Sequence, residues 1–399
     1  FGTFSKPARL DGISKFNPAE SKFVNRFDAK QKQTIVPQVV FRVLLIAIVA
    51  FAFCFHKEAT AQVPRQSATT QLRLDWKQLQ PLPDKLGVAG AYAGISDGRL
   101  LVAGGANFPE LPPWQGGVKV WHDRVWAMGL TSGEWTEAGK LPRPIGYGVS
   151  ISTDRGLICI GGSDSKKHYR DCFLLSWTAT GLQTESLPDL PQPLANAAGA
   201  MVGQSIYVCG GTDTPEAKRP LATLWRLDLS AREPNWEQLD NCPGGPRLLP
   251  AAASGSDSFY LFGGADLKPA ADGKAGRIYR RDAWAYSAGK GWRRLAELPA
   301  PVVAAPSPAP RLSSGEILLL GGDSGEHVGF QPPDQHPGFS KKQFLYNPSR
   351  DEWRTLPEPS RVSRVTAALV KTAAGWLLVS GEQRPGVRSP EVWQVEEQQ

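Results

Sequence analysis

Apolar positions along this chain repeat at long range before they repeat locally. Runs of four or more apolar residues end in a small pair: LLVAGG ending at Gly105, LICIGG at Gly162, IYVCGG at Gly211, FYLFGG at Gly264 and ILLLGG at Gly322. A sixth run, LLVSGE, ends at Glu382. The first small residues (Gly104, Gly161, Gly210, Gly263, Gly321, Ser380) lie 57, 49, 53, 58 and 59 positions apart. A loop follows each run, then an aromatic strand such as DRVWAM, ATLWRLDL, RDAWAYS or PEVWQVE. A Trp-bearing strand then runs into a proline turn, as in EWTEAGKLP, NWEQLDNCP, GWRRLAELP and EWRTLP. Each unit therefore reads as an antiparallel four-stranded sheet, a to d, with the glycine pair closing strand b. Units of this length and strand count, repeated six times, predict an all-β protein built as a six-bladed β-propeller.

The sixth repeat stops after strand c. An orphan Trp-proline segment, DWKQLQPLP (Asp75 to Pro83), precedes the first repeat. Placed as strand d of the last blade, it closes the ring and removes an open edge. The expected organisation is thus an N-terminal extension with a signal peptide over 1–61 and one propeller over 62–399.

Composition supports the β reading and corrects a first impression of charge. The 399 residues include 41 Gly and 34 Pro, without a collagen period, and 13 Trp against 2 Met. The formal net charge of +7 invites a nucleic-acid or anionic-lipid partner. However, residues 1–61 hold nine basic and four acidic side chains, so five of those seven charges sit there. The propeller is close to neutral, and no nucleic-acid partner is expected. Residues Val43 to Phe55 (VLLIAIVAFAFCF) form a short apolar stretch after Arg42, with Ala59-Thr60-Ala61 behind it. That order describes a secretory signal peptide rather than a membrane span, which needs about 20 residues. Cleavage after Ala61, export to the periplasm or medium, and no stable membrane span are expected. Cys159 and Cys209 sit in apolar strands, where a buried free thiol is the usual role.

In such a blade the b–c loops and the d–a connections share one end, and those loops converge on the axis. The b–c loops begin at Asn107, Asp164, Asp213, Asp266, Asp323 and Glu382; the d–a connections carry Arg143, Arg247 and Arg361 or Arg364. An arginine-bearing ring suits bidentate binding of a carboxylate. Glu382 stands out, because it follows its small pair at once and is itself followed by Gln-Arg-Pro-Gly-Val-Arg to Arg388. A half-buried carboxylate with a cation six residues on suits general-base work on a sugar hydroxyl. The five histidines form no ligand pattern and G-x-S-x-G is absent, so neither a metal nor another cofactor is expected.

The Gly-Gly blades with Trp-x5-Leu-Pro strands resemble kelch repeats. More narrowly, GVAGAYAGISDGRLLVAGGANFP (87–109), IGYGVSISTDRGLICIGG (145–162), PGGPR (243–247) and SGEQRPGVR (380–388) resemble the bacterial N-acetylneuraminate epimerases, the sialic acid mutarotases, in a cyclically permuted branch. That resemblance implies interconversion of sialic acid anomers, with Glu382 as the acid/base residue and Arg388 as its paired arginine. Arg143, Arg247, Asn107 and Arg364 are expected around a small acidic sugar. The b–c loops over 265–281 and 323–341 depart from the family pattern. The competing reading is a non-catalytic kelch propeller that binds a glycan or a protein. A hydrolytic sialidase would need S-x-D-x-G-x-x-W turns, which are absent, and a copper oxidase would need grouped histidines.

Overall fold

The computed structural model describes residues 72–269, 275–357 and 359–398. The expected leader and its cleavage site lie outside them. Among the described residues six blades form a ring. Blade 1 comprises Tyr92–Ser96, Arg99–Ala103, Arg124–Gly129 and Trp135–Lys140. Blade 2 comprises Val149–Thr153, Gly156–Ser163, His168–Thr178 and Gly181–Leu187. Blade 3 comprises Ala195–Val202, Ser205–Thr212, Leu224–Asp228 and Trp236–Leu239. Blade 4 comprises Ala251–Ser254, Ser258–Phe262, Ala283–Ser287 and Gly291–Leu295. The sheet of blade 6 is Ala368–Thr372, Gly375–Val379 and Val392–Gln398, completed by Arg73–Gln78. The orphan strand pairs antiparallel with the last one, Arg73 opposite Gln398 and Trp76 opposite Val395, as the ring-closure argument requires.

Blade 5 departs from the four-strand expectation. Its sheet holds three strands, Ile317–Gly322, Ser340–Asn347 and Glu352–Thr355. The segment that would be strand a contains Pro306, Pro308 and Pro310, each lacking an N–H for the ladder. Only isolated bridges remain there, such as Val303 to Asp323 and Arg311 to Ile317.

The apolar runs lack alternation because each blade is covered on both faces. In strand b of blade 1, Leu101 and Ala103 pack against Leu157, Cys159 and Phe173 of blade 2. Leu100 and Val102 face the other way, toward Val370, Leu377 and Val392 of blade 6. In four blades a tryptophan of strand d stitches the blade to the one before. Trp135 donates its indole N–H to Gln80 O at 3.0 Å, Trp236 to Pro188 O at 2.8 Å, Trp292 to Asp240 O at 2.7 Å and Trp353 to Ala296 O at 2.9 Å. The four described cysteines are buried and free.

The glycine pairs have a positional reason. The second glycine donates its N–H to the connection entering the next blade: Gly105 to Ile145 O, Gly162 to Leu194 O, Gly211 to Arg247 O and Gly264 to Val302 O, all at 2.7–2.8 Å. The first must let that connection pass; at Gly161 (φ +60) a Cβ would stand 2.3 Å from Leu194 O. We expect Gly161→Ala to lower stability by about 1–3 kcal/mol from the left-handed backbone alone, with the steric overlap adding to it. Urea unfolding measures the difference.

One buried titratable group sits beside this frame. His168 is 7% exposed and its Nε2 lies 3.0 Å from Thr212 Oγ1. Burial pushes its imidazole below the ordinary value of 6.5. The unfolded chain therefore takes up a proton that the folded chain resists. The associated stability is complete above about pH 6.5 and is lost as pH falls below it. Urea midpoints from about pH 7.5 to about pH 5 should decline, and His168→Gln should flatten that decline.

Candidate functional site

The site is built on a ring of backbone hydrogen bonds at the end of the propeller where the b–c loops gather. Each residue entering strand a donates its N–H to the carbonyl of the equivalent residue in the preceding blade. Tyr147 donates to Gly90, Asn196 to Tyr147, Leu249 to Asn196, Ala304 to Leu249, Thr366 to Ala304 and Gly90 to Thr366, all between 2.7 and 2.9 Å. The circuit is closed. All six residues have positive φ, from +49° at Thr366 to +67° at Gly90. The same six residues line the axial cavity.

Immediately outside the ring, the residue after each small pair bridges the incoming connection: Ala89 with Ala106, Gly146 with Ser163, Leu248 with Ala265, Val303 with Asp323 and Val365 with Glu382. This register places Glu382 one residue from the ring, at a position where most other blades carry Ala, Ser or Thr. Glu382–Arg384 and Val387–Arg388 form a small hairpin, with Glu382 directly opposite Arg388. Arg388 Nη1 donates to Glu382 Oε1 at 3.1 Å, and the Gly386 N–H donates to the same oxygen at 2.6 Å. Glu382 Oε2 has no protein hydrogen bond among the described residues. The Arg388 side chain is 3% exposed and the Glu382 side chain 18%, so the cation is enclosed and the carboxylate is partly open.

Arg388 reaches across to blades 1 and 2. Its Nε donates to Ala106 O at 3.3 Å, its Nη2 lies 3.5 Å from the Tyr147 hydroxyl, and its guanidinium lies 4.8 Å from the centre of the Phe108 ring. Lys119, from the b–c loop of blade 1, sits over three aromatic rings: Tyr147 at 5.1 Å, Trp121 at 5.3 Å and Phe108 at 6.0 Å. Sequence reasoning missed this group. Tyr147 lies within the GYGVS segment, yet nothing in the sequence marks its left-handed backbone, and Lys119 reads as an ordinary loop charge.

A cleft of about 710 Å³ has Pro385 and Gly386, the turn of the Glu382–Arg388 hairpin, in its wall. Its other walls come from the b–c loops of blades 4 and 5 and from Trp114 of blade 1: Tyr279, Asp323, His327, Phe330, His336 and Phe339. Asp323 Oδ2 accepts the Tyr279 hydroxyl at 2.8 Å and lies 3.5 Å from Arg277. Burial, reinforced by Asp323, pushes the Tyr279 phenol up to about 12.

The other expected sugar contacts are placed elsewhere. Arg247 is 0% exposed; its guanidinium donates to Asp282 at 2.7 and 3.2 Å and to Gly263 O at 3.0 Å. A group so enclosed has no face left for a ligand, so the expectation of a substrate-binding arginine is corrected to a clamp. Burial alone would raise the Asp282 carboxyl; Arg247 outweighs it and holds that carboxyl below its usual range. Arg364 repeats the clamp in blade 6, bonded to Glu391 and to Ser389 Oγ, with a side chain only 6% exposed. It is corrected in the same way. Arg143 pairs with Asp171 at 2.8 Å in the corresponding place of blade 2, but half-exposed, and stacks 4.5 Å from the Tyr169 ring centre. The Asn107 amide is engaged by His122, Asp84 and Gly87 O, and the residue is 2% exposed. It braces the loop before blade 1, with no atom left over for a sugar.

A family model described as N-acetylneuraminate epimerase matches residues 59–184 and 187–331. The chain belongs to the N-acetylneuraminate epimerase family. Among curated proteins, the N-acetylneuraminate epimerase of Yersinia pestis (strain Pestoides F) is 45% identical over 107 residues, 22% of this chain and 26% of that protein. The enzyme of that name from Salmonella typhimurium is 26% identical over 250 residues, covering 56% and 61%. That from Haemophilus influenzae is 36% identical over 135 residues, covering 30% and 36%. The chain thus matches between about a quarter and three fifths of the length of these relatives.

The two kinds of arginine separate by experiment. We expect Asp282→Ala, which leaves the Arg247 charge buried without its partner, to cost about 3–5 kcal/mol in urea unfolding. Arg143→Ala, which breaks a half-exposed pair, should cost less than about 1 kcal/mol.

Proposed function

We propose that this protein is a mutarotase that interconverts the anomers of N-acetylneuraminate or a related acidic sugar by acid–base ring opening. The observation that carries the reading is the Glu382 carboxylate. One oxygen is fixed by Gly386 N–H and Arg388 while the other is unengaged, and the same Gly386 lines a sugar-sized cleft. Two donors on one oxygen fix the direction in which the second points, which is the preorganisation a general base needs.

In the reaction, Glu382 Oε2 accepts the proton of the anomeric hydroxyl. The electron pair of that O–H bond becomes the second bond of a carbonyl as the bond from the anomeric carbon to the ring oxygen breaks. The ring oxygen takes a proton from water. Rotation about the bond beside the carbonyl and reclosure from its other face give the second anomer: the ring hydroxyl attacks the carbonyl carbon and gives its proton back to the hydroxide left from that water, while Glu382 returns its proton to the carbonyl oxygen as it becomes the new hydroxyl. Arg388 stays on Glu382 Oε1 throughout and stabilises the charge that moves. The aromatic walls of the cleft suit the apolar face of a sugar ring. The uncatalysed exchange already proceeds, so positioning with acid–base help of about 10²–10⁴-fold is sufficient.

We also infer export, from the apolar stretch over 43–55 and its flanks. An exported mutarotase would act on free sugar outside the cytoplasm.

Glu382→Gln preserves the shape of the site and removes the base. We expect it to slow NMR-measured anomer exchange of N-acetylneuraminate by about 10²–10⁴-fold while binding persists. Exchange at the wild-type rate would refute the role given to Glu382 and favour a sugar-binding propeller without catalysis.

A further inference from the structure

Arg247 and Arg364 are no longer free cations, so two of the arginines that the sequence suggested for the sugar's acidic group are committed elsewhere. The site supplies a different one. Lys119 is half-buried and has no carboxylate partner among the described residues. Its ammonium is held over Phe108, Trp121 and Tyr147, rings that pack around it and fix its place. Trp121 and Tyr147 brace each other edge to face at 6.4 Å. Arg388 stacks on the same Phe108 ring and approaches the same Tyr147 hydroxyl. Two cations therefore share one aromatic wall. Glu382 is the carboxylate in hydrogen-bond contact with this group, and it is bound to Arg388. The cluster carries one positive charge more than it neutralises.

An aromatic cage holds a cation without neutralising it, so Lys119 keeps its capacity for an anion. Lys119 comes from blade 1, Tyr147 from blade 2 and the Glu382–Arg388 pair from blade 6, so the spare charge lies on the same mouth that bears the general base. We propose that Lys119 is the specificity-determining residue of this site: it binds the substrate carboxylate and thereby orients the anomeric centre toward Glu382 Oε2. This rests on the mutarotase reading for its substrate class, but the binding claim stands or falls separately.

The test uses the full chain with N-acetylneuraminate and its methyl ester, which has the same ring and no charge. Calorimetric binding and NMR anomer exchange are measured for wild type, Lys119→Met, Lys119→Gln and Lys119→Arg, with thermal melts to confirm folding. Wild type should prefer the acid over the ester by about tenfold or more. Lys119→Met and Lys119→Gln should lose that preference through a raised KM for the acid with kcat changed little, and Lys119→Arg should retain most of it. A structural role alone would lower acid and ester binding together. Undiminished preference for the acid in Lys119→Met or Lys119→Gln, or equal wild-type binding of acid and ester, overturns the proposal. If wild type binds the acid through Lys119 yet accelerates no exchange, the subsite stands and the mutarotase reading falls.

Discussion

The closed circuit of six backbone hydrogen bonds around the axis is the constraint on which the rest depends. Each bond runs between neighbouring blades, so the circuit sets the spacing of all six at once. It also forces a left-handed backbone at six positions, five of them occupied by residues other than glycine. Non-glycine residues pay a steric cost in that region, and the circuit together with the packed blades holds them there. Tyr147 is where that cost bears on function. Its backbone belongs to the ring, and its side chain joins Lys119 and Arg388.

Around this circuit the arginines divide into two populations. Those in the connections entering blades 2, 4 and 6 face acids at the start of strand c: Arg143 with Asp171, Arg247 with Asp282, and Arg364 with Glu391. They hold the even blades together. Of the expected arginines only Arg388 pairs with Glu382, because the hairpin that carries it folds back onto that carboxylate. The difference is one of register.

The fold was legible because its cause is repetitive. Burial of each blade on both faces gives unbroken apolar runs, close passage of the next connection demands glycine, and the stitching bond demands tryptophan. The proline-rich inner edge of blade 5 was visible as Pro306, Pro308 and Pro310, but the repeat pattern outweighed them. The Glu382–Arg388 pair was legible because both residues lie within one short hairpin. Arg247 and Arg364 were misplaced because sequence shows a loop cation and not the acid buried beside it. Lys119 and Tyr147 were invisible as a pair, since they lie 28 positions apart and meet only through the ring.

The strand that completes blade 6 has a consequence for how the molecule is made. Arg73–Gln78 pairs with Val392–Gln398, segments more than 300 residues apart in sequence. Contacts of such long separation form late, because loop closure must precede any reward from pairing. A chain emerging amino end first can stack blades 1 to 5 in order, but its first strand waits for its last. Until the final strand arrives, the growing arc keeps an unpaired edge at each end, an aggregation hazard during synthesis. The late arrival also carries Glu382 and Arg388, so their hairpin is placed in the same step that seals the ring.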